Sequence, residues 1–355
     1  MSHNGPTLAL LSPACGTGNV GDHFIEMAIK RFFDETVRFE LFSTRRTLTS
    51  ADIAHINRCE AALLCGTNLY QRDWHAEITP HILSQIHVPV IPFGVGSSAA
   101  TLEERRVGRQ TAEMIRALHG ACRMGSVRDP HSLATVREQG IQNVELTGCP
   151  VLFWAQHDAL PTIAPVKRRK IVLTARNWLM HKWPDNVDHP VQIAFLETIL
   201  RELPSNQLVF AVHEEFDARL VERLNIPQEI VVSSSSTEEY VDLYTRPDYV
   251  VLAMRLHAGM LALANGVPAV FVGHDTRTYS FCEMMGLECI ELFSEQNPAQ
   301  RCLARLHQML EGDVSSFEAA SVSFQRLRTS MLNFLRVNEL TRSDSHPEVE
   351  TSLSS

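Results

Sequence analysis

The sequence predicts an α/β fold of two Rossmann-like domains around a central cleft, with a C-terminal helix crossing back over both. Three observations carry this. Short apolar runs alternate with helical patterns from residue 8 to residue 150, the rhythm of a parallel sheet with helices on both faces. The rhythm breaks at 158–170, where Pro161, Pro165 and the basic run Lys167-Arg168-Arg169-Lys170 read as a connection, and it restarts at 171. The last pattern, 317–337, is a long amphipathic segment with no strand after it. The expected division is 1–160, 161–312, a terminal helix within 313–340 and a disordered polar tail at 341–355. A linker with prolines between two such halves suggests closure hinged near 161–165.

In chain order, a strand at 8–11 runs into a glycine-rich loop at 16–22 and a helix at 23–33. Strands at 37–42 and 61–65 follow, then a helix at about 76–86 and a strand at 88–93. Residues 101–119 have helical periodicity, and a short strand at 123–127 precedes Asp129-Pro130, a cap and a first-turn proline that start a helix. Residues 144–146 lead to Gly148-Cys149-Pro150. The second half gives strands at 171–175, 207–212, 230–233, 248–252 and 269–272. Its helices fall at 191–203, 215–224, 237–244, 276–285 and 298–310, besides one that begins near Arg255. Two such halves facing one cleft are the glycosyltransferase-B type of architecture, although periodicity alone supports only two Rossmann-like halves.

Composition narrows the class. Hydrophobic residues are 45% and charged residues 21% of the 355, ordinary for a globular protein. A net charge of −9 argues against a nucleic-acid partner. No signal peptide and no membrane-length apolar run are seen, and the eight cysteines form no C-x-x-C pair, so a reduced, cytoplasmic setting is expected. His181 and His189 near Asp185 and Asp188 come nearest to a metal cluster, and no metal is expected.

The segment 250–272 organises the chain as strand, turn, helix, turn, strand. Its helix starts where a buried strand ends, the crevice in which open α/β sheets place ligands. First-turn N–H groups suit an anion. Arg255 brings a two-pronged fork for a carboxylate or phosphate, and His257 is close enough to supply a proton or a hydrogen bond. Gly259 reads as a place for close approach by a ligand or a neighbouring chain.

Other loops that follow strands border the same crevice. Gly16, Gly18 and Gly21 match a G-x-G-x-x-G spacing, but the next strand ends in Ser43-Thr44-Arg45-Arg46, not in the acidic residue a dinucleotide needs. What survives is a tight loop whose N–H groups and Asn19 side chain can meet a polar ligand, or a structural turn with Asp22 as helix cap. Asn68, Ser97 and Arg176 each sit just past a strand. Arg128 reads either as a second positive charge in the cleft or as a partner of Asp129, and Arg277 follows the strand beside the Arg255 helix. No Ser-His-Asp or Cys-His arrangement has supporting spacing.

Taken together, these motifs resemble the polysaccharide pyruvyl transferase family. The positions are Gly18-Asn19-Val20-Gly21-Asp22, the loop from Gly66, Gly94-Val95-Gly96, Arg128-Asp129 with Ser132, and Gly148-Cys149-Pro150. The strongest block is Arg255-Leu256-His257-Ala258-Gly259-Met260, continuing to His274-Asp275-Thr276-Arg277. Cys149, Arg277 and Gly66-Thr67-Asn68 depart from the family pattern, where an acidic residue, a lysine and a glycine triplet are usual. The resemblance implies phosphoenolpyruvate as donor substrate, no cofactor, and a sugar or lipid-linked saccharide as acceptor. Arg255, His257, Gly259, Arg277 and Arg128 would bind the donor, with His257 and Arg255 catalytic. Gly18, Asn19, Gly21, Asp22, Asn68, Ser97 and Arg176 would serve the acceptor or shape the loops around it. A homo-oligomer and a peripheral membrane contact through the acceptor are further partners that the resemblance allows. Two other readings stand beside it: a nucleotide-sugar glycosyltransferase of the same architecture, and a non-catalytic family member.

Overall fold

The structure is a computed structural model that describes residues 5–99, 101–165, 167–168, 170–176 and 189–340. Residues 181–188 of the candidate His/Asp cluster, the tail at 341–355 and part of the linker lie outside the described residues.

The first half forms a parallel sheet. β1 (Thr7–Ser12) lies between β2 (Arg38–Ser43) and β3 (Ala61–Cys65), and β4 (Val90–Phe93) pairs with β3. β5 (Gly125–Val127) and β6 (Val144–Leu146) extend it through a bridge between Val95 and Val127. Side chains alternate along β1, so Leu8 and Leu10 enter one core and Ala9 and Leu11 another. That two-faced burial explains why the strand reads as an unbroken apolar run.

The second half repeats the plan. β7 (Lys170–Thr174), β8 (Leu208–Ala211), β9 (Val231–Val232), β10 (Tyr249–Ala253), β11 (Ala269–Gly273) and β12 (Cys289–Glu291) line up as β12-β11-β10-β7-β8-β9. This is the doubly wound order, with its reversal between β7 and β10; in the first sheet the reversal falls between β1 and β3. The loops after these four strands are therefore the ones that face a ligand crevice.

Several sequence expectations shift. The helix expected at 76–86 is only α3 (Pro80–Leu83). The periodicity at 101–119 is helical only over α4 (Arg109–Gly120), because 101–108 are drawn into a loop on the cleft. The reading missed β12 and also α2 (Ser50–Ile56), although Thr49 and Asp52 form a capping box there.

The expected terminal helix is α12 (Glu318–Val337). It packs on β6 of the first half and on α10 (Thr276–Met285) of the second. Phe334 meets Phe93 at 5.0 Å and Phe324 meets Phe153 at 5.2 Å between ring centres, and Asn338 donates to the Met124 carbonyl. One buried apolar cluster runs from Leu8 through Phe153 to Leu173 and Phe334, spanning both halves. Buried hydrogen bonds also cross between them: Val20 N–H to His213 O, Thr276 N–H to Ala99 O, and His131 N–H to the Ser280 hydroxyl. A continuous apolar interface of this kind limits how far the two halves can part in any closure hinged near 161–165.

Candidate active site

A cleft of about 910 Å³ runs between the carboxyl ends of the two sheets. Its second-domain wall is built on α9 (Leu256–Ala264), which starts directly after β10. Thr174, at the end of β7, fixes that start: its hydroxyl accepts the Arg255 N–H and its carbonyl accepts the Met254 N–H. Among the described residues, the N–H groups of Leu256 and His257 meet no protein acceptor. They are the free donors of a helix start.

Arg255 caps that helix from a buried position, only 8% exposed. Its Nη2 donates to Glu214 and, at 2.5 Å, to the fully buried Asp217, and its Nε donates to the Ala175 carbonyl. Burial alone would lower its pKa, but the two carboxylates outweigh that and raise it. Beside it, Arg277 donates through Nε to Asp275 at 2.7 Å, and His274 shares that carboxylate at 3.3 Å. Against the effect of burial, Arg277 and His274 hold the Asp275 carboxyl well below its usual range.

Arg128 reaches the cleft from the first half. Its Nε donates to Asp129 at 3.0 Å, and its Nη2 donates to Asn68 and to the Ser97 carbonyl at 2.9 Å. Gly96 is required behind it, since a β-carbon there would overlap the guanidinium.

Two groups report the potential at the centre. Burial lowers the His257 pKa to about 3, and Arg128, Arg277 and Arg255 push the same way. Burial lowers the Arg176 pKa to about 9, assisted by Arg277 and Arg255. Arg128, Arg255 and Arg277 are each held in place by a carboxylate, and all three act on His257. His257 is a neutral imidazole here, with its Nε2 buried and unpartnered among the described residues and its Nδ1 against Gly21.

The first-domain glycine loop forms the opposite wall. Asn19, not Asp22, caps α1 (Val20–Lys30), accepting the Gly21 N–H at 3.1 Å. Asp22 binds Arg45 at 3.0 Å, and burial raises its pKa. Val20 N–H goes to His213 and Asn19 N–H to the Thr17 hydroxyl. The N–H groups of Asn19, Val20 and Gly21 are thus taken by protein acceptors, while Gly16, Gly18 and Asn19 line the cleft.

Most residues singled out in the sequence converge: Arg128, Arg176, Arg255, His257, Arg277, Asn68, Gly18, Asn19, Gly21 and Asp22 all line the cleft. Two do not. Gly259 packs inward, where a β-carbon would overlap Phe271 and lie 2.8 Å from Ala253, so it serves helix–sheet contact and not a ligand. Ser97 stands behind Arg128, and its hydroxyl donates to His131 Nδ1 at 2.6 Å while His131 Nε2 donates to the Glu104 carbonyl. Arg255 is the centre of a charge triad with the fully buried Asp217 and the partly exposed Glu214. The reading missed His213, Glu214 and Asp217. His213-Glu214 directly follows the apolar run of β8, and that placement was the available signal. Among the described residues no group of His, Cys, Asp or Glu could hold a metal ion, and no helix is long and apolar enough to cross a membrane.

Two doubly wound domains with a cationic cleft between them define a glycosyltransferase-B type fold. A structure assigned as a UDP-N-acetylglucosamine 2-epimerase from Listeria monocytogenes shares it, with a TM-score of 0.56 at 13% identity, covering 95% of this chain and 97% of that one. The UDP-N-acetylglucosamine 2-epimerase from Rickettsia bellii gives 0.52 at 10% identity, covering 95% and 98%. At these identities the likeness concerns the fold alone. No curated protein matches the chain. The profile of the polysaccharide pyruvyl transferase family matches residues 19–276, from the α1 cap to the start of α10, and the chain belongs to that family. Membership supports a transferase of polysaccharide biosynthesis.

Proposed function

We propose that the protein transfers the pyruvyl group of phosphoenolpyruvate to two hydroxyls of a saccharide acceptor, forming a ketal. The observation that carries this is the convergence of Arg128, Arg255 and Arg277 on the cleft around His257, beside the N–H groups of Leu256 and His257, which meet no acceptor among the described residues. A small donor with a phosphate at one end and a carboxylate at the other matches such a site.

The donor's own charge explains how His257 acts. Burial first, and then the three guanidiniums, oppose a proton on the ring, which is neutral. Phosphate and carboxylate placed among those guanidiniums reverse the local sign and raise the ring's pKa. His257 can then take up a proton and deliver it to the methylene carbon of the enol. The neighbouring carbon accepts one acceptor hydroxyl, phosphate leaves, and a second hydroxyl closes the ring. Of the two hydroxyl protons, one replaces that used on the methyl group and the other leaves with phosphate. Arg255, Arg277 and Arg128 hold the anion, each fixed by a carboxylate that keeps its fork aimed.

The test is donor binding. Phosphoenolpyruvate should raise the melting temperature and bind in calorimetry, and uridine nucleotides should not. Stabilisation by a uridine nucleotide alone would replace this reading with a nucleotide-sugar glycosyltransferase. Binding of neither would favour a non-catalytic role.

A further inference from the structure

We propose that the Glu214 carboxylate occupies, on Arg255, the place of the donor's anionic group, and that the donor binds by displacing it while Asp217 keeps the guanidinium in position. Glu214 is then a positioning residue with a second part to play, a built-in competitor of the donor. The proposal rests on the donor reading above and deepens it.

The two carboxylates on Arg255 are not equivalent, although both meet its Nη2. The Asp217 side chain is fully buried, and the oxygen that meets Nη2 also accepts the His213 N–H at 3.3 Å. Asp217 belongs to the first turn of α7 (Glu215–Arg223), and its own N–H donates to the Glu214 carbonyl at 2.9 Å. It is locked from two sides. Glu214 stands one residue ahead of α7 and does not cap it with its side chain, which is 15% exposed and lines the cleft. One carboxylate anchors Arg255 from the protein interior, and the other reaches it from the side a ligand would use.

The open end of the guanidinium points to the same exchange. Among the described residues, Nη1 of Arg255 meets no acceptor. A two-pronged hold on a phosphate or carboxylate therefore needs the Nη2 position that Glu214 fills. Charge adds to this. One guanidinium faces two carboxylates, so the group presents negative charge in excess to an arriving anion. The Glu214 charge also reaches the opposite wall: burial raises the Asp22 pKa, Arg45 opposes the rise, and Glu214 adds to it. With Glu214 turned away, Arg255 and Asp217 balance each other, and the fork is free to take the donor.

Only the side chain has to move. The His213 carbonyl accepts the Val20 N–H at 3.2 Å, and the Glu214 carbonyl holds Asp217, so the backbone on both sides of the exchange is fixed. A preorganised backbone keeps the ordering cost of binding small.

Calorimetry on the full chain tests the exchange, with phosphoenolpyruvate and inorganic phosphate as probes. Glu214→Gln keeps an acceptor for Nη2 and removes the competing charge. It should bind both anions about 10-fold more tightly than the wild type, the size of one charged contact. A residue that merely supports the fold would leave affinity unchanged or lower it when replaced, so equal or weaker binding by the folded variant would overturn the proposal. A crystal structure of the wild type with phosphoenolpyruvate decides the matter even if the variant does not fold. Glu214 should then lie beyond ~4 Å from Nη2, the limit of an ion pair, with Asp217 still in place. A Glu214 contact retained beside the bound donor would overturn the exchange. The two probes separate this proposal from the donor reading. Tighter phosphate binding by the variant, with phosphoenolpyruvate bound by neither protein, would sink the donor reading and leave the exchange standing. Phosphoenolpyruvate bound equally by both proteins would do the reverse.

Discussion

Gly21 of the first domain and His257 of the second stand face to face: a β-carbon on Gly21 would lie 2.8 Å from the His257 Nδ1. The glycine loop thus sets the position of the imidazole across the cleft. Gly21→Ala should leave the fold intact, since Gly21 lies in a helix where alanine is favoured by about 1 kcal/mol. The displaced ring should cost on the order of 10²-fold in rate. Thermal unfolding together with turnover checks this, and a variant as active as the wild type would show that the contact does not position the ring.

Arg255→Ala should destabilise the protein by roughly 3–5 kcal/mol, because it takes the guanidinium away from the fully buried Asp217 and the partly exposed Glu214. Urea denaturation measures it. A loss under ~1 kcal/mol would mean that water reaches the triad and that Arg255 serves the ligand alone.

His257→Gln should still bind phosphoenolpyruvate, with the chemical step slowed about 10²–10⁴-fold. Donor binding by the wild type at neutral pH should take up close to one proton, because the ring goes from neutral to charged when the anion arrives. Calorimetry in buffers of different ionisation heat counts that proton, and the variant should lack it. Equal proton uptake by both would assign the proton to another group. In heavy water the product methyl should carry deuterium, and its absence would refute protonation at carbon.

Stability should fall as the solution is acidified from pH 6.5. Burial holds His119 and His274 at about 4 and His213 well below its usual value, so all three stay neutral in the folded chain. The unfolded chain binds their protons near pH 6.5, and the folded chain does not until about pH 4 or lower. Stability is thus complete above pH 6.5 and is lost as pH drops through the unfolded value. Each histidine contributes a slope of about 1.4 kcal/mol per pH unit in that window. Urea midpoints at pH 8, 7, 6 and 5 test it; constant midpoints down to pH 5 would show that these rings are hydrated.

By itself the sequence determined the class of fold and the neighbourhood of the site. Apolar runs buried on both faces, as at Leu8 to Leu11 and Val250 to Leu252, mark a parallel sheet because covered strands need no alternation. Loops at the ends of such strands must face the crevice, so Arg128, Arg176, Arg255 and Arg277 could be chosen by position alone. Tertiary structure decided what each of them touches. Nothing local to Arg255 shows that Asp217 and Glu214, from another strand–helix turn, will neutralise it. Nothing beside Gly259 shows that Phe271 will fill the space it leaves. Nothing near His257 shows that burial, helped by Arg128 and Arg277 from two other loops, will keep it uncharged. Ion pairing and ring protonation depend on distances of a few ångströms between segments far apart in sequence, and only the packing of two domains on one core fixes those distances.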